Sequence, residues 1–303
     1  LDSTGNSLHG WIDIALVQSC LEDSDAGVKP FVRDYGMVIV DECHHVPASN
    51  FEIVLRYINS KYVCGLTATP TRKDGHQPII YMQCGPIRYV ADAQQQIASQ
   101  NFGRILTPRF TTFRQLNDGN NNFNALCDKL MDDEQRNNLI VTDAIAAVLQ
   151  GRTPIILSSR TKHVQILKDL IKAKRPDITI AALVGSEKAR EKREKMDMLA
   201  KHPATSSLII VAIDKYVGEG FDYPRLDTLL LSMPFSNKAR VAQYAGRLHR
   251  NYDGKTEVRV LDYVDIHVPV ADMMYRRRLK GYSAIGYNQP NGVSMNNSHI
   301  QSI

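Results

Sequence analysis

The sequence predicts an α/β protein of two domains, each built on a parallel sheet. Three observations carry this. At 303 residues the chain exceeds one ordinary hydrophobic core. Short apolar runs alternate with stretches of helical periodicity, the order of βα units. A polar Gly/Asn-rich stretch at 114–124, RQLNDGNNNFN, interrupts that alternation near the middle.

In the first half WIDIALV (11–17), MVIVD (37–41), YVCGLTA (62–68) and PIRYV (86–90) read as strands, the first three buried. Residues 47–58 read as a helix, with Pro47 suited to its first turn. In the second half the spacing predicts a helix over 134–150, closed by Gly151. Strands follow at 154–158, 178–184, 207–213, 227–232 and 256–262, and helices at 161–173, 187–201, 238–247 and 269–281. The polar tail NQPNGVSMNNSHIQSI reads as disordered. The expected boundaries are a first domain at 1–115, a linker at 116–133, a second domain at 134–268, and a C-terminal helix and tail at 269–303.

Hydrophobic residues at 43% and charged residues at 23% suit a soluble globular protein. No apolar run approaches the ~18 residues of a membrane span, and no signal peptide opens the chain, so no membrane partner is expected. Cysteines 20, 43, 64, 84 and 127 lack CxxC spacing, which suggests free thiols in a reducing cytoplasm. A net charge of +5 permits a polyanionic partner without requiring one. The chain opens on Leu1 and its first methionine, Met37, sits inside an apolar run, so a fragment lacking its natural N-terminus is expected.

Four stretches carry candidate chemistry. MVIV delivers Asp41 and Glu42 at a strand end, where open α/β sheets place their ligands. Two carboxylates there can hold Mg²⁺ and orient an attacking water; equally, Asp-Glu after a strand can open a turn or cap a helix. GLTATP (65–70) sets the hydroxyls of Thr67 and Thr69 at a second strand end. GEGFD (218–222) places flexible glycines and Asp222 ahead of a buried strand. QYAGRLHR (243–250) spaces Gln243, Arg247 and Arg250 by four and three, which predicts one shared helix face. Two guanidiniums aimed at one spot suit a phosphate, though such a pair also occurs on solvated basic faces. Zinc at Cys43-His44-His45 would need further ligands, and Cys64 and Cys84 form no recognisable framework with them.

In this order DECH, TATP, GEGFD and QYAGRLHR resemble motifs II, III, V and VI of the superfamily 2 DExH-box helicases. The likeness is greatest to the branch holding the motor (res) subunits of type I and type III restriction enzymes and related repair translocases. It covers roughly residues 10 to 285. It implies two RecA-like domains, ATP and Mg²⁺ as cofactors, and movement on nucleic acid, double-stranded DNA by branch. Nuclease or methylase modules elsewhere in a parent protein would fit the same branch. Carried over by position, it implies that Asp41 holds Mg²⁺ and Glu42 orients water. His44 and Gln243 would link nucleotide to closure, and Thr67 and Thr69 would couple hydrolysis to movement. Gly220 and Asp222 would approach the nucleotide, and Arg247 and Arg250 would be arginine fingers. Gln18 and Ser19 lie in a segment, DIALVQS, that resembles a nucleic-acid contact. Arg160, Gly185 and Ser186 match strand-tracking segments loosely.

Three departures stand out. Leu16 and Ile213 occupy positions where this branch usually has threonine. No G-x-x-x-x-G-K-[ST] phosphate loop occurs in the 303 residues. A truncated first domain explains its absence, so this chain alone is expected to be inactive. The alternative is a non-hydrolysing module that binds nucleic acid or a partner. A metal-dependent nuclease using Asp41 and Glu42 leaves TATP and the paired arginines unexplained.

Overall fold

A computed structural model of the chain describes residues 12–22, 27–46, 49–67, 75, 77–91, 100, 102–115, 122–185, 189–203, 205–218 and 221–288. The chain divides into two compact units, Leu1–Ala91 and Asp92–Ile303.

In the first unit β1 (Met37–Val40) and β2 (Tyr62–Gly65) pair in parallel, Met37 opposite Tyr62. α1 (Ser49–Arg56) connects them and α2 (Gln77–Cys84) follows. Val40, Cys43, Val46, Leu55 and Ile80 form a buried cluster under this sheet. Side chains alternate across a strand, so Met37 and Ile39 point the other way and are 53% and 60% exposed, with Tyr62 at 56%. The apolar run predicts a strand covered on both faces; here one apolar face is open. Among the described residues two expected strands do not form. Residues 12–16 have no strand geometry, and Val17–Cys20 is a 3₁₀ turn. Residues 86–90 are likewise irregular, with Tyr89 and Val90 exposed. Among the described residues neither segment finds a neighbouring strand, and a strand without a ladder partner has no backbone reason to stay extended.

Among the described residues the second unit holds one all-parallel sheet of six strands in the order β3-β8-β7-β4-β6-β5. The strands are β3 (Gly103–Phe110), β4 (Pro154–Ser158), β5 (Thr179–Leu183), β6 (Leu208–Ile213), β7 (Thr228–Leu231) and β8 (Glu257–Val264). Parallel sheets need both faces covered, and the central strands alternate between two cores. Leu208, Ile210 and Ala212 enter one, while Ile209 and Val211 enter the other. α4 (Glu134–Leu149) and α5 (Thr161–Lys174) cover the second face. The first is covered by α6 (Ala189–Lys201), α7 (Asp214–Gly218), α8 (Lys238–Gly246) and α9 (Pro269–Ala284). All but α7 were legible as helices, and their ends fall within three residues of expectation.

Besides α7, three further elements were hidden: α2 in the first unit, and a strand and a helix in the second. β3 pairs with β8 along all eight residues, so residues 103–110 join the second unit although the sequence reading ran the first domain to 115. Its alternation is blurred by Pro108, which an edge strand tolerates. α3 (Phe123–Asp132) fills most of the expected linker. Asn122, part of the polar run that suggested a loop, is its N-cap, accepting from Asn124 N at 3.0 Å. The expected tail beyond Asn288 lies outside the described residues. Among the described residues no helix is long and apolar enough to cross a membrane.

The basic run in α9 splits by face. Arg276 sits outside against Asp272, while Arg278 is buried and donates through two nitrogens to Asp262, at 2.8 and 2.7 Å. Tyr282 Oη donates to the same carboxylate at 2.7 Å, and Arg278 also donates to the Phe235 carbonyl. Removing one partner of such a pair strands the other charge. Arg278→Met is therefore expected to lose about 3–5 kcal/mol in urea unfolding, with no comparable loss for Arg276→Met.

Candidate functional site

In the first unit the sharp turn after β1 builds the site. Leu66 N donates to Val40 O at 2.9 Å, and Cys43 N donates to Leu66 O at 2.9 Å. The chain must therefore reverse between Val40 and Cys43, and Glu42 takes a left-handed conformation, φ 48°, to do it. Asp41 Oδ1 accepts from Glu42 N at 2.9 Å, holding the turn from outside. A non-glycine residue there stores strain, a feature that clusters at functional sites. The expected outcome is that Glu42→Gly is at least as stable as the parent. Glu42→Val, β-branched and poorly tolerated in that region, should lose about 1–2 kcal/mol. Equal stability of the two variants in urea would show the turn to be unstrained.

His44 then joins both strand ends. Its Nδ1 lies 3.0 Å from Thr67 Oγ1 and 3.1 Å from Glu42 Oε2. Cys43 packs inward beside Gly65, where a Cβ would meet Cys84 Cβ at 2.9 Å and Cys43 Sγ at 3.0 Å. Burial raises the Cys43 thiol above its ordinary range and pushes Cys84 up to about 11, so both favour the neutral thiol. Among the described residues no three His, Cys, Asp or Glu side chains group to hold a metal. Gln18 is exposed and Ser19 half-buried in the 3₁₀ turn before β1. Thr69 lies outside the described residues.

In the second unit parallel strands again bring their C-terminal ends to one edge. The expected common helix face of Gln243, Arg247 and Arg250 does not form. α8 stops at Gly246, a poor helix former, and one 3₁₀ turn follows with Leu248 fully buried. Arg250 leaves in an extended conformation, φ −69° and ψ 135°. The two arginines are gathered differently. Arg247 Nε donates to Val217 O at 3.1 Å, and Arg250 Nε donates to Asp222 Oδ1 at 3.2 Å. Burial pulls the Arg247 guanidinium below its ordinary value, opposed by Asp222. Gln243 is on the exposed side of α8. Gly220 and Ser186 lie outside the described residues, and Gly185 sits in an exposed turn after β5.

Arg160 follows β4 and is held by α3, donating to Asn124 Oδ1 at 2.9 Å with Asp128 at 3.3 Å. Behind it runs a chain that sequence reasoning missed. Ser158 Oγ accepts from Arg160 N at 3.1 Å and lies 3.0 Å from His163 Nδ1, while His163 Nε2 lies 2.8 Å from Asn137 Oδ1. His163 is fully buried, and burial, helped by the Arg136 charge, pulls it down to about 3. The only sequence signal for it was a histidine on the inner face of a predicted helix. Lys255, also missed, reaches back to the loops that carry Asp222 and Arg250.

Comparison with known proteins follows the same division. Residues 8–72 match the family described as type III restriction enzyme, res subunit, and residues 127–252 match the helicase conserved C-terminal domain. A protein of Acanthamoeba polyphaga mimivirus, assigned by its name to the ATP-dependent RNA helicases, is 28% identical over 77% of this chain and 44% of its own length. A protein of Escherichia phage T5 with a helicase name is 24% identical over 84% of this chain and 54% of its own. A Variola virus transcript termination protein is 26% identical over 87% and 53%. The chain thus spans about half the length of these curated relatives. Among solved structures, an HsdR-subunit fragment of a type I restriction enzyme from Vibrio vulnificus YJ016 is 17% identical. It covers 85% of this chain and 48% of that chain, at a TM-score of 0.61. S. cerevisiae Dbp5 bound to RNA and ADP BeF3 is 11% identical, covers 86% and 60%, and has a TM-score of 0.55. These neighbours share the fold of two RecA-like domains with parallel sheets. A segment that matches the res-subunit family is thus followed by one that matches the helicase conserved C-terminal domain, and in that order of matches the chain resembles the superfamily 2 helicases.

Proposed function

We propose that this chain is the motor part of an ATP-dependent helicase or translocase, with double-stranded DNA as its track. The observation that carries the reading is His44, seated between Glu42 and Thr67. A carboxylate that orients water must be held in place, and here the holding group also touches the hydroxyl of the next strand end. Mg²⁺ prefers oxygen ligands and keeps waters of its own, and Asp41 offers an exposed carboxylate at an open strand end, so the residue present fits the ion. When bound, Mg²⁺ and ATP supply the transferable phosphate and neutralise part of its charge. Glu42 serves as the water-orienting base, and Arg247 and Arg250 neutralise charge that develops on the transferred phosphate. The test is ATP turnover of the full-length protein with duplex DNA, single-stranded DNA or RNA. Duplex-stimulated turnover abolished by Glu42→Gln supports the reading; stimulation by RNA alone removes the DNA assignment.

A second reading, a non-hydrolysing binding module, is favoured by the absence of a phosphate loop from these 303 residues. Without backbone N–H groups to cradle phosphates, the 303-residue chain alone is expected to show negligible ATP turnover. Turnover restored in a longer chain containing such a loop would rule the module out. In either case nucleic-acid affinity should be largely electrostatic. A net charge of +5 and no base-reading motif predict a log-affinity that falls linearly with log salt, without sequence preference. Salt-insensitive binding would contradict this.

A further inference from the structure

Lys255 lies outside the helicase motifs. It follows a tight turn that Gly254, at φ 77°, makes possible. Its ammonium is turned inward and donates to four backbone carbonyls: Pro224 at 2.6 Å, Leu226 at 2.7 Å, Leu248 at 3.0 Å and Arg250 at 2.8 Å. Two of these belong to the loop after Asp222, and two to the segment that ends in Arg250. Three protons shared among four acceptors leave this ammonium little freedom. Burial pulls it down to about 8 against the opposing charges of Asp227 and Asp222. A surface lysine has no reason to accept that desolvation cost.

We propose that Lys255 is a positioning residue, its ammonium clamping the 222–226 loop to the 248–250 segment and so setting Asp222 and Arg250 opposite each other. The clamp explains how Arg250, extended and beyond any helix, still meets Asp222 at 3.2 Å. Its catalytic consequence rests on the ATP-hydrolysis reading above. The clamp itself does not.

The experiment compares the unsubstituted protein, Lys255→Met and Lys255→Arg by hydrogen exchange and by ATP kinetics of the full-length protein. In Lys255→Met, amides at 222–226 and 248–252 should exchange about tenfold faster or more, while those of β4 and β6 stay unchanged. Turnover should fall by up to about 10²-fold, because small misplacements of an electrostatic group are costly, with KM for ATP changed far less. Arginine, which can also donate to several carbonyls, should recover part of both losses. Exchange that rises throughout the sheet, or stays unchanged in the two segments, overturns the clamp. Loosened segments with normal turnover overturn the positioning role. A full-length protein without any ATP turnover defeats the ATP-hydrolysis reading and, with it, the catalytic half of the proposal, while the exchange result alone decides the clamp.

Discussion

Arg250→Ala in the full-length protein is expected to lower nucleic-acid-stimulated ATP turnover by about 10³- to 10⁵-fold, the range seen when an arginine finger is lost. The side chain is 56% exposed and pairs with the carboxylate of Asp222, itself half-exposed. Exposed ion pairs contribute little to stability, at most about 1 kcal/mol, so the melting temperature should hardly move. A group that acts on developing charge stabilises the transition state more than the ground state, so kcat should fall far more than nucleotide affinity. Lysine should rescue poorly, because a point charge does not reproduce the planar fork. Kinetics and melting of both variants check this; near-normal turnover in Arg250→Ala, or a loss explained wholly by unfolding, would remove the finger assignment.

Acidification is expected to destabilise the second unit through His163. Its folded value, about 3, lies below the ordinary 6.5, so the fold keeps it neutral while the unfolded chain takes up a proton. The stabilising difference is complete above about pH 6.5 and is lost progressively as pH falls toward 3. Between pH 7 and 5 this amounts to about 2 kcal/mol, or some 4–8 °C in melting temperature. His249, pulled to about 4 by burial beside Arg104 and Lys255, acts in the same direction. His163→Gln should lower stability at pH 7 yet flatten its dependence between pH 7 and 5. Parallel curves for the two proteins would show that His163 does not govern the acid response.

The central sheet was legible because its strands are continuous apolar runs, as a sheet buried on both faces requires. The grouping of Asp41, Glu42 and His44 in one turn was legible too, since they are close in sequence. Illegibility had specific causes. The spacing of four and three put Gln243, Arg247 and Arg250 on one helix face, but the chain tightens around buried Leu248, which the residue pattern alone cannot distinguish. Arg276, Arg277 and Arg278 are consecutive and alike in sequence, and it takes the packing of α9 to show that Arg278 has a buried carboxylate partner. Lys255 and His163 each join a near partner to a distant one, Leu226 for Lys255 and Asn137 for His163, and no local pattern encodes the distant half.

Pairing of β3 with β8 has a consequence for synthesis. Thr111, just past β3, hydrogen-bonds to Asp265, just past β8, across 154 positions of chain. A ribosome adding about 5–20 residues per second delivers β3 roughly eight to thirty seconds before β8, its partner along all eight residues, exists. Through that interval Ile105 and Leu106 are apolar side chains on an unpaired strand, a template for the wrong neighbour. Pro108 withholds a backbone donor, and Arg104 and Arg109 add charge on either side. Proline and charge on an edge strand oppose pairing with a wrong neighbour, and here they are the same residues that blur the strand's pattern in the sequence.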